Sequence, residues 1–174
     1  MTRNRSITFL ASLAALPLAA VALAGCGNSG GNAGASPNPP KTTSGPPATV
    51  AAANTGLGTI LVNSQGRTLY LFKKDVGTKS SCYGACAQNW PPLHSTGKPT
   101  AGSGANASLL GTSMRSDGKP QVTYNGHPLY LFSGDSSSGD TNGEGISAFG
   151  GIWYALSATG NQVLGTSSNS GGGY

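Results

Sequence analysis

The chain contains one segment twice, 60 residues apart. Residues 65–75 match residues 125–135 at Gly, at the tetrapeptide Leu-Tyr-Leu-Phe and at Asp, which makes six identities in eleven positions. A tryptophan follows each copy, at Trp90 and at Trp153. Self-similarity at a fixed spacing indicates that one structural unit occurs more than once. The sequence therefore predicts a domain made of two copies of one unit.

Each copy has the pattern of a β-hairpin. In the second copy, residues 121–124 and 127–132 are rich in β-branched, aromatic and aliphatic residues and flank Asn125-Gly126. Asn-Gly favours a two-residue type I′ turn, in which both residues have a positive φ. In the first copy, residues 59–62 and 68–72 flank a Ser-Gln-Gly segment. A third strand is predicted near each tryptophan.

The returning strand of each hairpin is apolar on both faces. Successive side chains of a strand point to opposite faces, so Tyr70 and Phe72 share one face while Leu69 and Leu71 share the other. Such a strand is typical of a central strand covered on both sides. No segment after the N-terminal apolar run shows a sustained helical period. The predicted fold class is all-β, with two hairpin-plus-strand repeats forming one small sandwich or barrel.

The N-terminal residues have the pattern of an export signal. Arg3 and Arg5 precede an apolar run of 18 residues, 7–24, and small residues close this run before Cys26. A basic start, an apolar middle and a small-residue end are typical of a signal peptide. An uncleaved transmembrane anchor is the alternative, because a run of this length is at the lower limit for spanning a membrane.

The tetrapeptide Leu-Ala-Gly-Cys at 23–26 resembles the bacterial lipobox. This resemblance implies that residues 1–25 are a lipoprotein signal peptide and that Cys26 is lipidated. Two acyl chains hold a protein stably on a membrane, whereas one chain is marginal. We therefore expect attachment to the extracytoplasmic side of the cell membrane. Nucleic acid is excluded as a partner by this compartment, and only 9% of the residues are charged, which leaves no basic stripe for it.

Composition divides the remaining chain. Residues 27–55 consist mainly of Gly, Asn, Ser, Pro, Thr and Ala and contain no aromatic residue. Such a segment cannot bury enough apolar surface to offset the entropy lost on ordering. The predicted segments are the signal peptide (1–25), the lipidated cysteine with a disordered linker (26–55), the β domain (56–165, with repeats at about 58–93 and 119–156) and a disordered tail (166–174).

The repeated segments resemble the Yx(F/W/Y)xxD motif of the secreted-repeat lipoproteins. The residues that carry the resemblance are Tyr70, Phe72 and Asp75, and Tyr130, Phe132 and Asp135. The Cys-x-x-x-Cys and Trp-Pro-Pro-Leu segments of the first copy and the Tyr-Asn-Gly of the second are similar to this family too. The family has no assigned function, so the resemblance implies export and lipidation and identifies no catalytic residue.

Cys82 and Cys86 are the thiols that remain if Cys26 is lipidated. Outside the cytoplasm, a disulfide is the expected state of such a pair. The alternatives are covalent haem, a metal site or a catalytic dithiol. Haem attachment requires Cys-x-x-Cys-His, and this pair has a longer spacing and no histidine after it. A metal would need further ligands from His94, His127 or the carboxylates.

Asp75 and Asp135 form a matched pair of carboxylates with two interpretations. General acid–base catalysis requires two carboxyls at one substrate bond, with pKa values driven apart. Each Asp here ends a predicted strand and precedes a Gly/Ser-rich loop, where a carboxylate accepts hydrogen bonds from loop amides and fixes the turn. We favour the structural role. Because the two copies are equivalent, we expect Asp→Asn to have similar effects at both positions.

A weaker candidate is a calcium loop at 140–145. Possible oxygen ligands alternate at Asp140, Asn142 and Glu144. The twelfth position of the loop is Gly151 instead of the bidentate Glu that an EF-hand requires. A polar loop is therefore the simpler interpretation, and we expect neither a metal nor another cofactor.

The leading functional interpretation is a non-enzymatic envelope lipoprotein with a binding or scaffolding role at the outer face of the cytoplasmic membrane. One alternative is a redox accessory protein that holds haem or copper or presents a dithiol, and the shortage of soft ligands disfavours it. The other is a hydrolase of envelope polymers acting through Asp75 and Asp135. The absence of an activated nucleophile pattern in the sequence disfavours this second alternative.

Overall fold

The computed structural model describes residues 47–165. The predicted signal peptide, Cys26, the first part of the predicted linker and the tail at 166–174 lie outside the described residues. Across 47–165, no helix is long and apolar enough to cross a membrane.

The described part of the chain is nearly all β, which confirms the predicted fold class. It contains nine short strands, one α-helix of five residues and a single 3₁₀ turn at Ala107–Leu109. The elements are β1 (Thr49–Thr55), β2 (Gly58–Asn63), β3 (Tyr70–Phe72), α1 (Ala85–Asn89), β4 (Thr100–Ala101), β5 (Leu110–Met114), β6 (Pro120–Tyr124), β7 (His127–Pro128), β8 (Ser147–Ala148) and β9 (Gly151–Ala155).

These strands form three sheets of three strands each, in the orders β2-β1-β4, β3-β9-β8 and β5-β6-β7. Each copy begins with an antiparallel hairpin, β1–β2 in the first copy and β5–β6 in the second. The pairing of β1 with β4 is parallel and short. Each copy therefore has one strand more than the sequence predicts, β1 in the first copy and β5 in the second.

The turn between β6 and β7 is the predicted one. Asn125 has a φ of 47° and Gly126 a φ of 79°, so both lie in the left-handed region that a type I′ turn requires. In the first copy, Gly66 has a φ of 74° and Val62 pairs with Thr68 across the turn. Both turns therefore connect the pairs of strands that the sequence predicts.

The two copies exchange strands. β3 of the first copy pairs antiparallel with β9 of the second, which places Phe72 opposite Trp153. In return, the segment after Trp90 runs beside the returning strand of the second copy, and the Leu93 N–H donates to the Leu129 carbonyl at 2.9 Å. The returning strand of each copy (residues 68–72 and 127–132) therefore lies between the preceding strand of its own copy and the strand near the tryptophan of the other copy. Neither copy is complete alone.

The returning strands are buried on both faces, as the alternation of their side chains predicts. Two clusters form the core, one aromatic and one mainly aliphatic. The first includes Tyr70, Phe72, Trp90, Tyr130 and Trp153. The second includes Leu61, Leu69, Leu71, Val122, Leu129 and Leu156.

The domain begins earlier than the composition predicts. A disordered linker is predicted up to residue 55, but Thr49–Thr55 is a strand that pairs with β2 along its whole length, and Val50 is fully buried. An Ala-rich segment has little β-propensity of its own. Its pairing partners make it a strand, so the predicted domain start at residue 56 is wrong.

Candidate functional site

The two repeated tyrosines meet at the centre of the domain. The Tyr70 N–H donates to the Tyr130 carbonyl at 2.8 Å, and the Tyr130 N–H donates to the Tyr70 carbonyl at 3.0 Å. Both side chains are fully buried. Equivalent residues thus exchange equivalent contacts, which is the relation expected across a local two-fold axis.

Each tyrosine hydroxyl binds the aspartate of the other copy. The Tyr70 hydroxyl donates to Asp135 Oδ2 at 2.7 Å. The Tyr130 hydroxyl donates to Asp75 Oδ2, also at 2.7 Å. The motif residues of the sequence are therefore brought together in crossed pairs, between the copies and not within one copy.

The second oxygen of each carboxylate holds the loop that follows it. Asp75 Oδ1 accepts hydrogen bonds from the Ser81 N–H at 2.7 Å and from the Ser81 hydroxyl at 2.8 Å. Asp135 Oδ1 accepts the Asn142 N–H at 3.0 Å. Bonds to loop amides are the kind that the sequence predicts for these residues. Each Asp therefore ties the loop of its own copy to the tyrosine of the other.

Burial dominates the electrostatics of the crossed pairs. It raises the pKa of the Tyr70 and Tyr130 hydroxyls well above the ordinary tyrosine range, and the facing aspartates raise it further. Burial also raises the pKa of the Asp75 and Asp135 carboxyls, although the hydrogen bonds from the tyrosines oppose this effect. Both hydroxyls therefore remain protonated hydrogen-bond donors at neutral pH.

Four aromatic rings form a continuous stack beside the tyrosines. Trp90 and Trp153 stack with ring centroids 4.0 Å apart. Phe72 stacks on Trp153 at 4.0 Å, and Phe132 stacks on Trp90 at 4.3 Å. The two motif tyrosines meet the tryptophans edge-on at 5.4 and 5.1 Å. Each motif phenylalanine thus packs on the tryptophan of the other copy, and the aromatic residues of the motif form the shared core.

Cys82 and Cys86 form a disulfide, as expected from the compartment. Both residues are buried within the aromatic cluster. Helix α1 contains Cys86 and leads directly to Trp90, whose N–H donates to the Cys86 carbonyl at 2.8 Å. Thiol–disulfide exchange needs access for an attacking thiolate. This buried position therefore favours a structural bridge that helps to place Trp90.

We expect the bridge to stabilise the domain modestly. Closing a loop of this size contributes about 2 kcal/mol in the chain-entropy model. The double variant Cys82→Ser/Cys86→Ser should therefore lose about that much unfolding free energy in a denaturant titration, and intact mass with and without reduction should show one bridge in the wild type. Reductant should leave the double variant unchanged, which is the control. Free thiols in freshly isolated protein would contradict the assignment.

Arg115 is a buried residue of this site that the sequence analysis does not identify. Its guanidinium donates to Ser80 Oγ at 2.8 Å, to Gln121 Oε1 at 2.8 Å and to the Cys82 carbonyl at 2.7 Å. Ser80 Oγ in turn hydrogen-bonds to the Tyr130 hydroxyl at 2.7 Å. Arg115 thus connects the disulfide loop to one of the crossed pairs. A lone arginine before a turn has no periodic pattern that would have revealed this role.

The weak calcium candidate is not gathered into a ligand set. Asp140 Oδ2 accepts two backbone N–H groups of the preceding loop at 2.9 and 2.8 Å. Glu144 Oε2 accepts the Ala155 N–H at 2.7 Å, and the Asn142 side chain donates to a backbone carbonyl at 3.3 Å. Among residues 47–165, no three His, Cys, Asp or Glu side chains are grouped so that they could hold a metal ion.

The repeated motif is largely buried, and its residues line none of three clefts on the described part of the domain. One of these clefts, of about 340 Å³, is lined by Ser80, which hydrogen-bonds to Tyr130. Asp135 is only 2% exposed. A cleft of about 470 Å³ is lined by Ser95, Lys98, Leu110 and neighbouring residues, none of which belongs to the motif. A general acid or base has to lie within hydrogen-bond reach of its substrate. The motif residues join the two copies of the repeat in the interior of the domain.

Comparison with known families agrees with the two-copy architecture. A family model described as a secreted repeat of unknown function matches residues 51–94 and again residues 111–157, which together make just over half of the chain. The matches begin within β1 and β5, the first strand of each copy. No curated protein and no solved structure matches the chain. The chain therefore belongs to the family of secreted repeats of unknown function and carries the repeat twice.

Proposed function

We propose that this chain is a lipid-anchored protein of the cell envelope whose β domain has a non-enzymatic binding or scaffolding role. Membership of a secreted-repeat family makes it an extracytoplasmic protein. The lipobox-like sequence that ends at Cys26 supplies the means of attachment. Cys26 lies outside the described residues, and its lipidation is proposed from the lipobox-like sequence.

The crossed Tyr–Asp bonding is the observation that carries the non-enzymatic part of the proposal. Both oxygens of Asp75 and both oxygens of Asp135 accept hydrogen bonds from the protein itself. A catalytic carboxylate needs an oxygen directed at the substrate and a pKa suited to its task. Here the most distinctive residues of the repeat are used to join its two copies. The surface of the domain is then the part available to a partner.

The two alternative functions gain no support from the site. For a dithiol role, Cys82 and Cys86 are paired and buried. For a hydrolase, the candidate carboxylates are hydrogen-bonded to buried tyrosines of raised pKa. For covalent haem, the sequence lacks the attachment motif.

Lipid anchoring can be tested at the N-terminus of the mature protein. We expect protein extracted from host membranes to begin at Cys26 and to carry acyl chains, as seen by mass spectrometry of the N-terminal peptide. Cys26→Ser should give no acylated peptide and should lose lipid-dependent retention in the membrane fraction. Its β domain should keep the wild-type melting temperature, because the core lies within residues 47–165.

Ser29→Ala, a change close to the same cleavage point, is the control and should be acylated like the wild type. A wild-type protein that retains residues 1–25 without acylation would contradict the proposal. Such a result would identify an uncleaved membrane anchor instead.

A further inference from the structure

Two adjoining segments of the domain expose an unusual share of its large apolar side chains. Val76 is 78% exposed, Phe149 is 42% exposed and Ile152 is 38% exposed. In the part of the chain described, only Met114 and Leu164 are comparable. Isolated exposed apolar residues are ordinary, but a group of them indicates an interaction surface.

Three exposed lysines accompany these residues. Lys73 and Lys74 follow strand β3, and Lys79 pairs with Val76 in the next turn. The Lys74 Nζ donates to the Phe149 carbonyl at 3.2 Å. We call Lys73, Lys74, Val76, Lys79, Phe149 and Ile152 the tip patch.

The backbone joins the two halves of the tip patch. The Lys73 N–H donates to the Ile152 carbonyl at 3.0 Å, and Phe149 lies in the tight turn that connects β8 to β9. Lys73 therefore lies beside Ile152, and the Lys74 ammonium lies at the turn that contains Phe149. Their relative positions are set by the fold.

Phe149 has a backbone conformation that does not suit its side chain. Its φ is 54°, and Gly150 after it has a φ of 83°. The other turn of this kind in the domain has Asn125 and Gly126 at these positions, the residues that left-handed backbone favours. Residues in sparsely populated backbone conformations cluster at functional sites. The conformation of Phe149 therefore marks this turn as a candidate interaction site, with an aromatic ring at the end of a hairpin.

The tip patch contains three lysines, and none of them forms a salt bridge within residues 47–165. Asp75 is the acidic residue of this segment, and its carboxylate accepts hydrogen bonds from Tyr130 and Ser81 inside the loop. Lysines next to exposed aromatic and aliphatic side chains are typical of surfaces that bind anionic lipid. The ammonium groups attract phosphate headgroups, and the apolar side chains enter the interface.

We propose that the tip patch docks the domain onto an anionic phospholipid surface. Phe149 and Ile152 enter the headgroup region, and Lys73, Lys74 and Lys79 bind lipid phosphates. The inference deepens the proposed function, because the lipid on Cys26 would hold the domain close to such a surface and raise the effective concentration of both partners. The contact would then fix the orientation of a domain that the lipid alone leaves free to turn.

The test uses the mature chain with Cys26→Ser, produced without residues 1–25, so that no acyl chain contributes. Cosedimentation is measured with vesicles of phosphatidylcholine alone and with vesicles that also contain phosphatidylglycerol. We expect binding to the anionic vesicles that weakens as salt is added. Phe149→Asn should lower the partition coefficient about tenfold, and Lys73→Gln/Lys74→Gln should lower it about thirtyfold.

The chain offers matched controls. Leu164→Asn removes an exposed apolar side chain elsewhere, and Lys98→Gln/Lys119→Gln makes the same change of charge elsewhere. Both should bind like the parent. Since asparagine suits left-handed backbone, Phe149→Asn should fold at least as well as the parent. Loss of its binding would then not be a folding defect.

Two results would overturn the inference. One is equal binding of the parent to neutral and anionic vesicles, or no binding to either. The other is unchanged binding of Phe149→Asn. Because the assay contains no lipidated cysteine, its outcome is independent of the N-terminal peptide analysis, and either proposal can fail without the other.

Discussion

Replacing Trp153 by alanine should lower the free energy of unfolding by about 3–5 kcal/mol, the range for removing a large aromatic side chain from a core. Trp153 is fully buried and stacks between Phe72 of the first copy and Trp90. Its indole N–H has no hydrogen-bond acceptor within the described residues. The loss therefore comes from packing alone, and Trp153→Phe should cost clearly less.

Denaturant titration followed by far-UV circular dichroism measures this effect, and Ile152→Ala on the same strand is the control. Ile152 is partly exposed, so its truncation should cost less than about 1 kcal/mol. Because the two copies share one aromatic stack, both should unfold in a single transition with Trp153→Ala as well as with the wild type. Two separate transitions, or a loss as small as that of Ile152→Ala, would show that the stack does not join the copies.

Much of this core can be predicted from local sequence pattern. The alternation of side chains in the returning strand correctly divides Tyr70 and Phe72 from Leu69 and Leu71, because a strand has only two faces. Asn125-Gly126 correctly predicts its turn, because few residues adopt two successive positive φ values. The pairing of Cys82 with Cys86 follows from the compartment.

The exchange between the copies cannot be predicted in the same way. Two segments with the same Leu-Tyr-Leu-Phe sequence offer the same partners to each third strand, so local pattern does not distinguish pairing within a copy from pairing between copies. Strand β1 and Arg115 cannot be predicted from local pattern either. β1 is an Ala-rich segment that becomes a strand by pairing with β2, which follows it in the chain, and with the more distant β4. Arg115 is fixed by hydrogen bonds to the distant disulfide loop.

Asp135→Asn should destabilise the domain by about 2 kcal/mol, and Asp75→Asn by less than about 1 kcal/mol. From the sequence, similar losses are expected. The structure makes them unequal, because an asparagine has one acceptor oxygen and one donor nitrogen in place of two acceptors. If the asparagine oxygen still accepts the loop N–H, the asparagine nitrogen faces the tyrosine hydroxyl. The hydroxyl then has to donate its proton to another acceptor.

The two hydroxyls differ in the alternatives available to them. The Tyr130 hydroxyl has Ser80 Oγ at 2.7 Å as a second partner. When Asp75 is replaced, the Tyr130 proton can be redirected to this oxygen in place of the longer bond from the Cys82 N–H at 3.2 Å. The Tyr70 hydroxyl already accepts the Gly143 N–H at 3.2 Å. In the Asp135→Asn variant this hydroxyl would receive a second donor. The other side chain near its proton is Thr68, whose hydroxyl is directed at the Asp140 carbonyl, and a buried donor without a well-placed acceptor costs about 1–3 kcal/mol.

Burial raises the pKa of both carboxyls, and this effect reduces the stability lost on Asp→Asn at both positions. A group whose pKa is raised in the folded state stabilises the fold at pH values below its unfolded pKa and loses this contribution as the pH rises through its folded value. At neutral pH the buried charge is therefore a cost, and its removal by Asp→Asn offsets part of the lost hydrogen bond. This offset lowers the loss expected at both positions, and the Ser80 partner of Tyr130 keeps the loss smaller at Asp75.

Double-mutant cycles at neutral pH test two expectations: that Asp135→Asn costs more stability than Asp75→Asn, and that each aspartate bonds the tyrosine of the other copy. Asp135→Asn combined with Tyr70→Phe should show a coupling energy of about 1 kcal/mol or more, because removing the hydroxyl also removes the proton that the amide substitution leaves unsatisfied. Asp135→Asn combined with Tyr130→Phe, the tyrosine of its own copy, should be additive within about 0.5 kcal/mol. Coupling of Asp135 to Tyr130 together with additivity between Asp135 and Tyr70 would mean that the aspartate bonds the tyrosine of its own copy, which would contradict the crossed arrangement. Stabilisation by either single Asp→Asn change would mean that the carboxylate is strained for a purpose other than holding the fold, and the aspartates would then become the first place to look for a substrate or a metal.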